Sequence, residues 1–198
     1  MQKIGIMILA AGASTRMNGK AKQLLKFEGK TLLHRATEIA LSFTDARPIV
    51  VVFGANAEKL LPEIEDLPVL TAINENWASG MGGSIKTGLS VLLAENADIE
   101  AVILMLCDQP FVMTETLSRL VETFQETKKP IVACQYAETL GVPALFAREM
   151  FAELSDLQGN TGAKAVIRKH AAKVAEVPAP EAAFDVDTQA DFQKLSSG

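Results

Sequence analysis

Ile4-Gly5-Ile6-Met7-Ile8-Leu9-Ala10-Ala11-Gly12-Ala13-Ser14-Thr15-Arg16-Met17-Asn18-Gly19-Lys20-Ala21-Lys22-Gln23-Leu24-Leu25 is the stretch on which the reading turns. Its opening run, Ile4 to Leu9, has an apolar or small residue at every position. That pattern suits a parallel strand covered by helices on both faces, since such a strand meets no water on either side. The chain changes character at once after it. Gly12 and the small residues Ala10, Ala11, Ala13 and Ser14 make a backbone that a ligand can approach closely, and Arg16, Lys20 and Lys22 follow within ten residues. Exposed amides and fixed cations at the end of a strand are what a polyphosphate needs.

Outward from this loop the chain alternates apolar runs with helical spacing. Leu32, Leu33, Ala36, Ile39, Ala40 and Phe43 predict a helix over Thr31 to Phe43, and Pro48 to Phe53 predicts a second buried strand. Asn56 is placed to cap a helix running towards Ile64, and Pro68 to Ile73 predicts a third strand. A second glycine-rich loop, Asn74 to Gly83, leads into a helix expected from Ser84 to Glu95. Ala101 to Leu106 is a wholly apolar strand, ended by Cys107-Asp108-Gln109-Pro110. A helix capped by Thr114 follows, then a short strand at Pro130 to Cys134. A strand at Leu140 to Phe146 is limited by Pro143 to an edge or a bulge. Late elements are helices at Arg148–Leu154 and from Gly162 to about His170, strands at Lys173–Val177 and Ala182–Val186, and a helix at Thr188–Leu195. Strands alternating with helices predict an α/β fold with a mostly parallel sheet in three α/β/α layers. Residues 1–198 are read as a single domain, with no repeat and no linker.

Composition narrows the function. Nineteen basic against twenty-four acidic residues leave a net charge of −5, which argues against nucleic acid as the partner, because such binding neutralises phosphates with excess Lys and Arg. The basic cluster at Arg16–Lys22 therefore points to a small polyanion. No apolar run approaches the roughly 18 residues of a membrane span, so no membrane partner is expected. Two cysteines, Cys107 and Cys134, are too few for a disulfide scaffold, and a cytoplasmic protein is expected.

Two nucleotide motifs fail on the opening loop. A Walker A loop puts four residues between its glycines and a Lys-Ser/Thr pair after them; here six separate Gly12 from Gly19, and Ala21 follows Lys20. The dinucleotide fingerprint fails because Gly12-Ala13-Ser14 lacks the second glycine. Asp108 ends an apolar strand, where an unpaired carboxylate is costly; it is expected to pair, to cap a turn or to bind a metal. If the strand order begins 3-2-1-4, Asp108 and the opening loop flank the crevice where open α/β sheets bind ligands. Asp185 and Asp187 stand at i and i+2, so an extended chain points both to one side. They suit a hard cation such as Mg²⁺, while Asp187 or Thr188 alone could simply cap the last helix. Asn74, Gly80 and Ser84 belong to a loop entering a helix, where free amides can hold a base, a ribose or a phosphate; a turn plugged by Trp77 is the plain alternative. His34 and His170 are expected to be structural.

LAAGASTRM with Lys22-Gln23-Leu24-Leu25, NENWASGMGGSIKTGL, LCDQP, GVPALF and FDVDTQADF occur in this order from Ile8 to Phe192. Together they resemble the MobA-like nucleotidyltransferases, most closely the branch containing molybdenum cofactor cytidylyltransferase. The resemblance implies a Rossmann-like nucleotidyltransferase fold. It implies that the loop of Leu9, Ala10, Ala11, Gly12 and Ser14, with Asn74, Gly80 and Ser84, binds the nucleotide. It further implies that Arg16 and Lys22 meet the phosphates and that Asp108 and Asp187 hold Mg²⁺. The Ala10-Ala11-Gly12 form resembles the cytidine-using branch, so CTP is the implied donor. Molybdopterin is the implied acceptor, and a molybdenum hydroxylase is the implied recipient of the product. Lys22 lies six residues beyond Arg16 where the family spacing is five, and Lys20 lies four beyond, which leaves open which lysine meets the phosphates. Gly141-Val142-Pro143 and Gly159-Asn160-Thr161-Gly162-Ala163-Lys164 also differ from the family's usual residues on the acceptor side. Three rivals follow: a related transferase with another phosphorylated acceptor, a non-catalytic cofactor-binding maturation factor, and a small oxidoreductase on the same fold.

Overall fold

The computed structural model describes residues 3–17 and 20–196. Seven strands form one sheet: β1 (Ile4–Ala10), β2 (Ile49–Phe53), β3 (Leu70–Ile73), β4 (Ala101–Leu106), β5 (Ile131–Tyr136), β6 (Thr139–Ala147) and β7 (Val174–Pro178). Their order is β3-β2-β1-β4-β6-β5-β7. All neighbours run parallel except β6, which lies antiparallel to both β4 and β5. The expected 3-2-1-4 order is therefore present. β1 is fully buried between β2 and β4, as its unbroken apolar run requires.

The described residues form seven α-helices, α1 (Leu32–Ser42), α2 (Ala57–Leu60), α3 (Met81–Glu95), α4 (Thr114–Thr127), α5 (Phe151–Ser155), α6 (Ala163–Lys169) and α7 (Gln189–Ser196), of which α1, α3, α4, α5 and α6 pack on the sheet. Strand alternation divides the core in two. Ile4, Ile6 and Ile8 pack with Leu33 and Ala36 of α1 and Leu117, Leu120 and Phe124 of α4. Met7 and Leu9 face the other way, towards Ile85, Leu89 and Leu92 of α3, Phe151 and Leu154 of α5, and Val166 and Ile167 of α6. The architecture is a Rossmann-like three-layer α/β/α fold.

Several boundaries depart from expectation, each for a local reason. α3 begins at Met81, three residues early, because Gly82 and Gly83 join the helix despite their poor propensity. A Cβ on Gly82 would run into the Leu157 carbonyl, so close backbone packing decides the residue there. Thr114 is the first residue of α4 and Met113 holds the capping position, with no side-chain cap. Asn56 precedes α2 in a left-handed conformation (φ 62°) and its side chain caps nothing. Thr188 does cap α7: its hydroxyl accepts the Asp191 N–H at 3.2 Å, and the Asp191 carboxylate accepts the Thr188 N–H at 2.9 Å.

β6 is internal rather than at an edge. Pro143 is accommodated by an irregularity: pairing passes from Ala133 with Ala144 to Cys134 with Gly141, and Val142 and Pro143 are skipped. Residues 182–186 form no strand. Pro180–Ala183 is a 3₁₀ turn, and the Val186 N–H donates to the Asp108 carbonyl at 2.9 Å, tying this segment to the loop after β4 instead of to the sheet.

Candidate active site

The crevice lies beyond the carboxyl ends of β1 and β4, where the strand order reverses. Gln23, almost fully buried, shapes its first wall. Its side-chain N–H₂ donates to the carbonyls of Ala10 (3.1 Å) and Gly12 (2.9 Å), and its Oε1 accepts the Ser14 hydroxyl proton at 3.1 Å. Ser14 takes a left-handed conformation (φ 53°), uncommon for a residue with a Cβ. That geometry also lets Ser14 Oγ accept the Lys22 N–H at 3.0 Å. One buried amide thus fixes the curvature of the loop and the direction in which Lys22 leaves it.

Lys22 reaches across the crevice. Its Nζ donates to Asp108 Oδ2 and, at 2.7 Å, to Asp187 Oδ1. Burial by itself would lower the pKa of this ammonium, but the Asp108 and Asp187 carboxylates more than reverse the effect and raise it, so Lys22 is charged. Asp108 is 8% exposed, and its second oxygen, Oδ1, is buried without a partner. Arg16, with its side chain 70% exposed, approaches Asp187 Oδ2 at 3.2 Å. Asp185 joins the cluster electrostatically. Partial withdrawal from water and the Asp108 and Asp187 charges push it up to about 6.

The opposite wall is the start of α3. Asn74 is buried; its amide donates to Ser84 Oγ at 3.0 Å, and its carbonyl oxygen accepts the Asn76 N–H at 3.0 Å. Gly80 (φ 118°) turns the chain into the helix directly against the loop at Gly159 and Asn160. Between the walls is a cavity of about 450 Å³, within the range of roughly 300–1,000 Å³ usual for small-molecule sites. Residues 9–13, Lys22 and Gln23 line one side, Trp77, Ala78, Gly80, Met81 and Ser84 the other, with Leu106, Cys107, Asp108 and Asn160 completing it.

The expected residues therefore fall into three groups. Leu9, Ala10, Ala11, Gly12, Lys22, Gly80, Ser84 and Asp108 line the cavity. Ser14 and Asn74 lie behind it and brace Lys22 and Ser84. Arg16 and Asp187 stand beside it, joined to the cavity wall through Lys22. Lys22 is the lysine held in the crevice, and Lys20 is exposed with its backbone N–H bonded to Met17 O. Asp108 and Asp187 are the carboxylates that could hold a cation; among the described residues no group of three or more His, Cys, Asp or Glu could do so.

Sequence reasoning passed over Gln23 and Met81 as cavity residues, put Asn160 on the acceptor side, and left Trp77 open between a ligand-holding loop and a plug. Trp77 is 39% exposed at the cavity wall, with its Cβ close against Gly54. The one signal for Gln23 was a polar side chain wedged between Lys22 and Leu24-Leu25. The histidines are structural as expected: His34 Nδ1 contacts Glu63 O at 2.8 Å and His170 Nε2 contacts Glu153 at 2.6 Å. Burial pushes both the Cys107 and Cys134 thiols up to about 12, which makes them inert.

Gln23→Leu is expected to lower stability by about 2 kcal/mol, since it orphans two carbonyls and a hydroxyl at once. The melting temperature should fall by roughly 5 °C, and nucleotide affinity should fall about tenfold as the loop loses its curvature. A melt and a nucleotide titration both matching the unaltered protein would remove Gln23 from this role.

The sheet order, the crevice and its walls define a domain of the Rossmann-like nucleotidyltransferase fold. The chain belongs to the family of the MobA-like NTP transferase domain, whose model matches residues 6–174. It is similar to nicotine blue oxidoreductase from Paenarthrobacter nicotinovorans, with 33% identity over 115 residues, 58% of this chain and 54% of that protein. Another relative is the bifunctional protein GlmU from Solibacter usitatus, 36% identical over 122 residues, 61% of this chain and 25% of that protein. The chain thus spans about half the length of the first and a quarter of the second. Among solved structures, Rv0371c from Mycobacterium tuberculosis superposes with a TM-score of 0.81 and 26% identity over 100% of both chains. A structure of that protein in complex with manganese gives 0.79 and 27%, again over 100% of both chains. Among the described residues no helix is long and apolar enough to cross a membrane.

Proposed function

We propose that this chain, working as one domain over residues 1–198, transfers a nucleotidyl group from a nucleoside triphosphate to a phosphorylated small molecule and releases pyrophosphate. The observation that carries this reading is Asp108. A carboxylate with one buried, unpartnered oxygen sits at the end of β4, facing Lys22 and Asp187 beside a cavity walled by small residues. The donor is read as CTP from the Ala10-Ala11-Gly12 form of the loop, and the acceptor as molybdopterin, whose product a molybdenum hydroxylase would receive. These substrates place the activity in the cytoplasm.

The residues fit a hard cation: one buried oxygen without a donor, a second carboxylate beside it, and space for waters to complete the shell. Mg²⁺ held by Asp108 and Asp187 would supply neutralisation of charge at the α-phosphate. The chain's own groups do the rest. The loop at residues 9–13 lets the triphosphate approach the backbone, and the amides and dipole at the start of α3 favour its negative charge. Lys22 and Arg16 sit on long rotatable stems, by which their charges would exchange carboxylates for phosphates. Transfer in line between two phosphates asks little covalent work of a protein, so holding and charge compensation carry the catalysis.

A second reading has one observation in its favour, the similarity to an oxidoreductase over 115 residues. A third, a cofactor-binding maturation factor, follows from Val142 and Asn160 on the acceptor side. Pyrophosphate release measured with CTP, GTP, ATP and UTP, each with and without molybdopterin, separates them. Turnover with CTP only when the pterin is present is the expected result. Nucleotide binding without release in all eight combinations would favour the maturation factor. Oxidation of a reduced nicotinamide coupled to the two-electron reduction of an added quinonoid dye, without any triphosphate, would favour the oxidoreductase.

A further inference from the structure

Two carboxylates, Asp108 and Asp187, meet at the crevice within the electrostatic reach of Asp185, and two cations answer them. Lys22 is the inner one. Its side chain is 15% exposed, and its single ammonium bridges Asp108 and Asp187. Arg16 touches only the outer oxygen of Asp187 and remains largely in solvent. The place between the two carboxylates is therefore already filled by a positive charge that the protein supplies itself.

We propose that Lys22 is the resident cation of this site in the free protein, and that it yields its place only to a divalent cation arriving with a triphosphate. This rests on the nucleotidyl-transfer reading above and specifies its ligand: the metal–nucleotide complex as one unit. A bare divalent ion has to eject the Lys22 ammonium from both its partners. The ejected charge then has no anion to receive it, which disfavours the exchange. A triphosphate changes the outcome by bringing an anion. Lys22 leaves the carboxylates and meets the phosphates, so the number of ion pairs is kept while the metal takes the carboxylate oxygens. The unpartnered Oδ1 of Asp108 gains a ligand only in this second state. The two partners of Lys22, 86 and 165 residues away in sequence, are thereby read as a preformed cradle held shut by a placeholder.

Manganese binding read by electron paramagnetic resonance tests this without turnover. The unaltered protein should bind Mn²⁺ weakly alone, and at least about tenfold more tightly when inorganic tripolyphosphate is added. Lys22→Met should bind Mn²⁺ alone at least about tenfold more tightly than the unaltered protein, and tripolyphosphate should add little to it. Its melting temperature should rise with Mn²⁺ more than that of the unaltered protein. Equal Mn²⁺ affinity in the two proteins overturns the proposal, as does Mn²⁺ binding to the unaltered protein that tripolyphosphate leaves unchanged. The latter comparison stands even if Lys22→Met fails to fold. Absence of pyrophosphate release with every nucleotide would end the transfer reading while leaving a tripolyphosphate-dependent exchange in place, so the two failures are distinct.

Discussion

Asp108→Asn is expected to slow nucleotidyl transfer about a hundredfold, a loss of roughly 3 kcal/mol at the transition state. The substitution keeps the shape of the side chain and removes its charge. Lys22 would still hold Asp187, so the fold has no reason to fail; a melting temperature within a few degrees of the original is expected, because the ammonium retains one carboxylate. The larger effect is on chemistry. The buried Oδ1 loses its value as a ligand for a hard cation, and the crevice loses its most enclosed negative charge. Asp187→Asn should cost less, since that side chain is more open to water and its charge is better screened. Steady-state rates of pyrophosphate release on the two variants check the order. A folded Asp108→Asn protein with unchanged turnover would take Asp108 out of the mechanism.

Gly80→Ala is expected to destabilise the protein by more than about 3 kcal/mol, lowering the melting temperature by roughly 10 °C. Gly80 needs a left-handed φ of 118°, and a Cβ on it would fall on the Gly159 carbonyl and the Asn160 amide. Both obstacles are backbone, so neither can rotate away. Gly12→Ala makes the informative contrast. No atom lies within 4 Å of a Cβ built there, and its φ is not in the left-handed region, so the melt should be unchanged. The added methyl enters the cavity at the surface a ligand would approach, and nucleotide affinity should fall about tenfold. Calorimetric melts and nucleotide titrations of both variants separate a glycine required by the fold from one required by the ligand. Normal nucleotide binding by Gly12→Ala would mean that the opening loop is not the surface of approach.

Much of this architecture is legible from the chain because burial on both faces leaves a strong mark. β1, β2 and β4 are unbroken apolar runs, and turn residues separate them from helices with clear periodicity. Asp108 stood out for the same reason: a carboxylate directly after such a run asks for a partner. What could not be read depended on contacts distant in sequence. Glycines 82 and 83 weaken a helix by propensity, yet both are helical, and at Gly82 the backbone at Leu157 packs too closely for a side chain. Residues 182–186 have the composition of a strand, but β7 already ends the sheet and Val186 is claimed by Asp108 O. Between Lys20 and Lys22 spacing alone could not choose. The choice falls to Lys22 because Ser14 Oγ holds its N–H and directs it inward. Gln23 acts through two carbonyls brought together only by the bend it maintains, and no local pattern announces that.

The ion pair between Lys22 and Asp187 joins residues 165 positions apart. During synthesis, the nearly complete sheet can leave the ribosome while the segment carrying Asp187 is still unmade. A chain clipped before Phe184 would keep all seven strands and lack one side of its charge cradle. The strands of the scaffold and the second carboxylate of the cradle thus come from different parts of the chain.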